Sequence, residues 1–260
     1  MKNLGIINAC LENHTVLITG GGSGIGFSTA ALFAKMKANV AINYLNDDED
    51  SRERIKKLSS MYPNISSFPG DISIEKTSKK IIASIEKKYD GLNFLINNVG
   101  IGLVKDPIPF EDLNKIDDEF WNKILKVNLM SAFYCSKAAS QILIKNKGSI
   151  VNVTSISSNG KRGTSIPYSV SKGALKTLTS SLAKALAPDV RVNAVSPGFT
   201  KTNMTNQRSE EHKQKMATQT LLNRIAMPEE IAETIFFLCV SGSYITGETI
   251  NVNGGDGYTY

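Results

Sequence analysis

Residues 15–36 read TVLITGGGSGIGFSTAALFAKM, and this stretch decides the fold. Its first five residues, TVLIT, are apolar and β-branched, the composition of a buried strand. Five of the next seven residues are glycine, and FSTAALFAKM then carries a helical period. Strand, glycine turn and helix in that order form the context in which a glycine motif carries meaning. Glycines in such a turn permit positive φ and let backbone N–H groups approach a ligand closely. The helix N-terminus that follows adds partial positive charge, which suits phosphate. The spacing is not G-x-G-x-x-G, because Ile25 stands sixth from Gly20. It is T-G-x-x-x-G-x-G, with Gly20, Gly24 and Gly26 as the glycines and Ser23 and Ile25 between them. The pyrophosphate of a dinucleotide is the ligand this turn suits.

Outward from this unit the same alternation repeats. Strand-like runs fall at 15–19, 39–44, 65–69, 92–97, 149–154, 190–195 and 248–253, and helix-period stretches at 24–37, 50–60, 75–89, 119–145, 167–186 and 228–240. Strands alternating with helices predict βαβ units, and near-continuous apolar strands predict a sheet buried on both faces. The expected fold is α/β, a Rossmann-type doubly wound parallel sheet of seven strands with helices on both sides. No repeat or linker divides the chain, so 1–260 is read as one dinucleotide-binding and catalytic domain. Two stretches break the rhythm. Residues 101–118 carry two prolines and no clear period, and 199–224 are polar, the pattern of a mobile, partly helical lid over the substrate. In an open parallel sheet, ligands bind beyond the carboxyl ends of the strands, where strand order reverses. Residues that directly follow strands are therefore the candidates for chemistry.

Composition excludes several alternatives. Hydrophobic residues make up 41% and charged residues 21% of the 260 residues, ordinary for a globular protein. No apolar run is long enough to span a bilayer, and the N-terminal stretch lacks the apolar core of a signal peptide. Cys10, Cys135 and Cys239 are far apart, His14 and His212 stand alone, and no metal-ligand spacing appears. Reduced thiols and a cytoplasmic location without metal are the expectation. The net charge of +6 comes from lysines mixed with Asp and Glu along helical segments, with no aromatic-interleaved basic stripe. Nucleic acid is not an expected partner, although an acidic partner could be attracted at long range.

The stretch SIPYSVSK, 165–172, places Tyr168 and Lys172 at i and i+4, on one face of a helix. Ser155 follows the fifth strand, thirteen residues before Tyr168. NNVG at 97–100 follows the fourth strand, Asn128 lies within the long fourth helix, and SPGFTKT at 196–202 follows the sixth strand. Together, in this order, these motifs resemble the short-chain dehydrogenase/reductase family over nearly the whole chain. The resemblance implies a carbonyl–alcohol oxidoreductase using NAD(P)(H), with Asn128, Ser155, Tyr168 and Lys172 as its catalytic set. Tyr168 would be the general acid or base. Lys172, with the positive charge of an oxidised nicotinamide, would lower the tyrosine pKa and bind the nicotinamide ribose. Ser155 would hold the substrate oxygen. Asn128 would bend its helix and support a water on a proton relay to Lys172.

The resemblance also assigns cofactor contacts to Gly20, Ser23, Gly24, Ile25, Gly26, Tyr44, Asp71, Ile72, Asn98, Gly100, Tyr168, Lys172, Pro197, Gly198, Thr200 and Thr202. Asp71 would accept from the adenine amino group. Tyr44 stands where an acidic residue would select NAD(H). Its neutrality favours NADP(H), while the acidic run at 47–50 disfavours a phosphate if it folds toward the site. NADP(H) over NAD(H) is the expectation. Within the family, VRVNAVSPGF and YITGETINVNGG most resemble the 3-oxoacyl-acyl-carrier-protein reductase branch, with dehydrogenases of sugars, polyols or sterols as the alternative, and a non-catalytic dinucleotide sensor as the second. That branch implies a carbonyl substrate on an acidic carrier protein, docking through residues such as Lys145, Lys147 and Lys184. It also implies a homotetramer built partly from the fourth and fifth long helices. Val99 replaces the alanine of the family's NNAG signature.

Overall fold

The computed structural model describes residues 10–102, 108–160, 163–206 and 208–257. The chain runs β1 (Thr15–Ile18), α1 (Gly24–Lys35), β2 (Asn39–Tyr44), α2 (Glu49–Met61), β3 (Ile65–Pro69), α3 (Glu75–Tyr89) and β4 (Phe94–Asn97). It continues with α4 (Asp118–Leu125), α5 (Ser131–Lys145), β5 (Ser149–Val153), α6 (Ile166–Leu186), β6 (Arg191–Pro197), α7 (Asn203–Asn206), α8 (Glu210–Thr218), α9 (Pro228–Val240) and β7 (Thr249–Val252). The strands form one parallel sheet in the order β3-β2-β1-β4-β5-β6-β7. This is the doubly wound sheet that the alternation of strands and helices predicts.

Side chains alternate across each strand, so the two faces bury different sets. Val16, Ile18, Val40, Ile42, Ile96 and Val195 pack against α1, α2 and α9 through Phe33, Ile55 and Ile235. Leu17, Ala41, Leu95, Ile150 and Val192 pack on the other face with Ile81 and Ile85 of α3, Ala139 and Leu143 of α5, and Ala183 of α6. With both faces covered, the central strands have no polar side to show, which is why they read as continuous apolar runs. Arg191 at the start of β6 donates to Leu238 O, Cys239 O and Gly242 O, closing the C-terminal end of α9 with a cation.

One helix departs from expectation. The continuous helix read at 119–145 is instead α4 and α5 joined by a π turn at Lys126–Met130. A buried asparagine, Asn128, sits in that turn with its polar atoms committed to partners outside the helix. Such single wide turns occur where a helix must re-aim a side chain, often at functional sites.

The strand order reverses between β1 and β4. After β1 the chain moves outward to β2 and β3, then returns to the other side of β1. The glycine turn follows β1 and Asn98–Gly100 follows β4, so both lie at this crevice.

Candidate active site

A cleft of about 1130 Å³ opens at the carboxyl ends of the strands. Its floor begins at the glycine turn, where Gly20 and Gly24 have φ of +61° and +51°. Thr19 ties β1 to β4: its hydroxyl donates to Ile96 O and accepts from Asn98 N, while Asn98 Nδ2 donates to Thr19 O and Gly20 O. Gly26 lies behind this knot. A Cβ there would stand 2.5 Å from Gly20 O and 2.6 Å from Asn98 Nδ2, so α1 can begin this close only with glycine.

Gly20, Ser23, Ile25, Tyr44, Asp71, Ile72, Asn98 and Gly100 all line the cleft, as do Ser155, Tyr168, Lys172, Pro197, Gly198, Thr200 and Thr202. Gly24, Gly26 and Asn128 do not line it, although the sequence reading placed them among cofactor contacts or catalytic residues. Their effect is one layer back. Gly24 lets Thr202 approach, since a Cβ there would meet the threonine side chain at 3.1 Å. Asn128 is fully buried and grips the segment after β4, accepting from Ile101 N at 2.8 Å and donating to Ile101 O and Ser171 Oγ at 3.0 Å each.

The Tyr168–Lys172 pair is set by the start of α6. Ser165 caps the helix by accepting from Tyr168 N, and Pro167 occupies the first turn, where its missing N–H costs nothing. One turn later Lys172 is buried, donates to Val153 O at 2.9 Å, and stands 5.9 Å from the Tyr168 ring centre. Burial pushes the Lys172 ammonium down to about 8. The tyrosine is raised above its ordinary value by burial, opposed by a hydrogen bond with Ser155. The sequence reading had Lys172 and the positive charge of an oxidised nicotinamide together pulling that value down; in the protein alone the loss of solvent is the larger effect, even though the ring still reaches the cleft.

Of the hydroxyls that follow β5, Ser155 Oγ shares a hydrogen bond with Tyr168. Thr154 donates to Val195 O at 2.7 Å and so ties β5 to β6, while Ser158 Oγ is buried away from any partner. Ser155 Oγ contacts Ser157 Oγ at 3.1 Å and accepts from Ser157 N, which fixes it beside Tyr168. On the far wall, Thr205 Oγ1 donates to Thr200 O and accepts from Thr202 N. Gly198 fits against Asn253, where a Cβ would be 2.9 Å from its Cα.

After β3, Asp71 is exposed and accepts from Ser73 N, while Ile74 stands at the start of α3. Asp48, Ser51, Lys123 and Arg208 also line the cleft and were not among the expected residues. The acidic run held the signal for Asp48; nothing in the sequence marked the other three. Of the irregular stretch 101–118, Ile101, Ile108, Pro109, Phe110 and Glu111 line the cleft, and 103–107 lie outside the described residues. Lys145, Lys147 and Lys184 are exposed, but they precede β5 and β6 and so lie toward the opposite edge of the sheet from the cleft. Among the described residues no group of His, Cys, Asp and Glu is arranged to hold a metal, and no helix is long and apolar enough to cross a membrane.

The family model described as Enoyl-(Acyl carrier protein) reductase matches residues 20–256. A 3-oxoacyl-[acyl-carrier-protein] reductase, FabG, of Aquifex aeolicus is 37% identical over 253 residues, covering 94% of this chain and 98% of that protein. The uncharacterized oxidoreductase YmfI of Bacillus subtilis is 33% identical, covering 94% of this chain and 98% of its own. Among solved structures, a Brucella melitensis protein titled short-chain dehydrogenase/reductase SDR:Glucose/ribitol dehydrogenase superposes with a TM-score of 0.85 at 33% identity, over 95% of this chain and 98% of that one. The chain belongs to the short-chain dehydrogenase/reductase family of oxidoreductases, which act on a carbonyl–alcohol pair with a nicotinamide dinucleotide.

Proposed function

We propose that this enzyme reduces the 3-oxo group of an acyl thioester, carried by an acidic carrier protein, to the 3-hydroxyl. The observation that supports it is the meeting of Ser155, Tyr168 and Lys172 in one cleft that exposed apolar side chains and cations also line. Phe110 and Met204 are exposed apolar side chains lining that cleft, and Lys123 and Arg208 are cations lining it. An acyl chain suits the former and an anionic carrier the latter. Similarity to the FabG proteins points the same way. Carrier docking at this cleft is better placed than at Lys145, Lys147 and Lys184.

The glycine turn suits a nicotinamide dinucleotide, because the positive φ angles and the tight Gly26 contact leave a cradle that added side chains would fill. Gly20, Ser23 and Ile25 would hold its pyrophosphate, Asp71 and Ile72 its adenine, Lys172 its nicotinamide ribose, and Thr200 and Thr202 its carboxamide. When bound, it supplies or accepts the hydride and, when oxidised, a positive charge. The protein's part is the proton. Tyr168 Oη would give it to the substrate oxygen while Ser155 Oγ holds that oxygen by a hydrogen bond. Of the two dinucleotides, the neutral Tyr44 and the likeness to FabG favour NADP(H), and the charges at the adenosine end favour NAD(H).

Residues 199–224, which form α7 and α8 and contribute Phe199, Met204 and Met216 to the cleft, are read as the lid. A homotetramer is the expected assembly, and Val170 on α6 and Phe237 on α9 are exposed apolar side chains available to it. The deciding experiment is a panel of acetoacetyl thioesters, enoyl thioesters, sugars, polyols and simple ketones, assayed with NADH and NADPH in parallel. Turnover fastest on the 3-oxo thioester supports the proposal. Preference for a sugar or polyol, or for the enoyl carbon–carbon bond, overturns it, and binding without turnover on any of them points to a sensor.

A further inference from the structure

We propose that the adenosine end of the cleft selects NAD(H) over NADP(H), and that Asp48 makes the selection. This rests on the reading of the cleft as a nicotinamide dinucleotide site. The position where a charge would be expected, at the end of β2, holds Tyr44, which is 6% exposed and packed into the core. Tyr44 lines the cleft without a charge, and the first charged side chain that follows it in the lining comes from the cap of α2. Asp48 accepts from Ser51 N at 2.9 Å and from Ser51 Oγ at 2.6 Å, and it lines the cleft beside Leu45 and Ser51.

The first turn of α2 is pressed against the glycine turn. A Cβ on Gly22 would stand 2.3 Å from Ser51 Cβ, so the carboxylate bound to Ser51 is held close to the loop that would take the pyrophosphate. A carboxylate has about four lone-pair sites, and the two bonds to Ser51 leave acceptor capacity for ribose hydroxyls. The charges along this wall agree. Among the described residues, the charged groups of the lining that directly follow β2 and β3 are Asp48 and Asp71, both acidic, whereas Lys123, Lys172, Arg208, Glu111 and Asp256 join the lining from α4, α6 and the segments after β6, β4 and β7. Two guanidiniums stand near and neither lines the cleft: Arg54 donates to Gly22 O at 2.7 Å and to Ser51 Oγ at 3.2 Å, and Arg52 donates to Asn46 O at 2.7 Å and pairs with Glu49. A 2′-phosphate would meet a fixed carboxylate in the lining after β2 and no lining cation there, an arrangement that rejects it by like-charge repulsion.

Direct titration of the protein with NADH and with NADPH, read by cofactor fluorescence, tests this without any substrate. The expected result is NADH bound about tenfold or more tightly than NADPH. Asp48→Asn keeps a good helix cap and removes the charge. It should tighten NADPH by about tenfold, weaken NADH by a few-fold, and leave the melting temperature within about 2 °C. Asp48→Ser, a second neutral cap, should shift the ratio in the same direction. Wild-type protein that binds NADPH as tightly as NADH, or neutral variants that leave the ratio unchanged, would overturn the assignment. Failure of both cofactors to bind would instead overturn the dinucleotide reading on which it depends.

Discussion

Asn128→Ala tests whether the layer behind the cleft wall holds the site together. The side chain is fully buried and makes three hydrogen bonds, of which two join it to the N–H and C=O of Ile101. Truncation leaves both backbone groups without partners, and each orphaned group costs about 1–3 kcal/mol. Ile101 is half-buried, so water recovers part of this and the lower half of each range applies. The expected loss is about 3 kcal/mol, or about 6–12 °C in melting temperature for a chain of this size. The effect extends to the site, because a Cβ on the adjoining Gly100 would lie only 2.9 Å from Lys172 Nζ. Once the segment loosens, the wall against the lysine moves and dinucleotide affinity falls with stability. Calorimetry at one fixed protein concentration, paired with an NADH titration, measures both. Asn128→Asp should not rescue, since it sets a carboxylate against Ile101 O. A drop below about 2 °C for the alanine variant would refute the reasoning, because these bonds would then not be what fixes the segment.

Three other outcomes follow from the geometry. Tyr168→Phe should reduce turnover by about a hundredfold to ten-thousandfold while cofactor affinity stays within a few-fold; retention of most activity would remove the tyrosine as the acid. Lys172→Met should raise stability at neutral pH, because burial holds the native lysine at about 8 and thereby penalises its charged form. That penalty, about 3 kcal/mol from the displacement of the value, is fully present below pH 8 and disappears as pH rises toward the unfolded lysine value of about 10.4, so urea midpoints of the two proteins should converge across that window. Gly26→Ala drives a methyl into Gly20 O and Asn98 Nδ2, and should cost about 1–3 kcal/mol and more than tenfold in NADH affinity; unchanged binding would show that the turn adapts.

Much of this was legible in the sequence because the physics there is local or repetitive. Strands buried on both faces have to be apolar throughout, so TVLI, FLIN and SIVNV announce themselves. The glycine turn and the Ser165–Pro167 helix start are written in residues whose backbone preferences leave few options. A bend at Asn128 was implied by the resemblance alone: hydrophobic spacing across 119–145 fits one helix, and the wide turn accompanies bonds from Asn128 to a segment 27 residues away. Cofactor preference was legible only as a conflict between the neutral Tyr44 and the acidic run at 47–50. Both Tyr44 and Asp48 line the cleft, and only the path from β2 into α2, which spacing does not reveal, places the second of them there. The lysines at 145, 147 and 184 could have been placed from topology alone, since residues just before a parallel strand lie at the edge away from the ligand.

The turn at Lys126–Met130 also makes the length of this helix a matter of counting. A wide turn takes up one surplus residue while the helices on either side stay in phase, so removing one residue here would restore ordinary winding with little rotation of either half. Cys135, Ala139, Ile142 and Leu143 would still face the sheet and α3, and α4 would still lie on α6. What the deletion would take away is the position of Asn128, and with it the bonds to Ile101 and Ser171. The surplus residue thus serves the aim of one side chain and leaves the packing of the helix around it as it was. Substitutions between Asp118 and Lys145 can be absorbed one side chain at a time, whereas a one-residue deletion is felt at once by the segment after β4 and the lysine beside it.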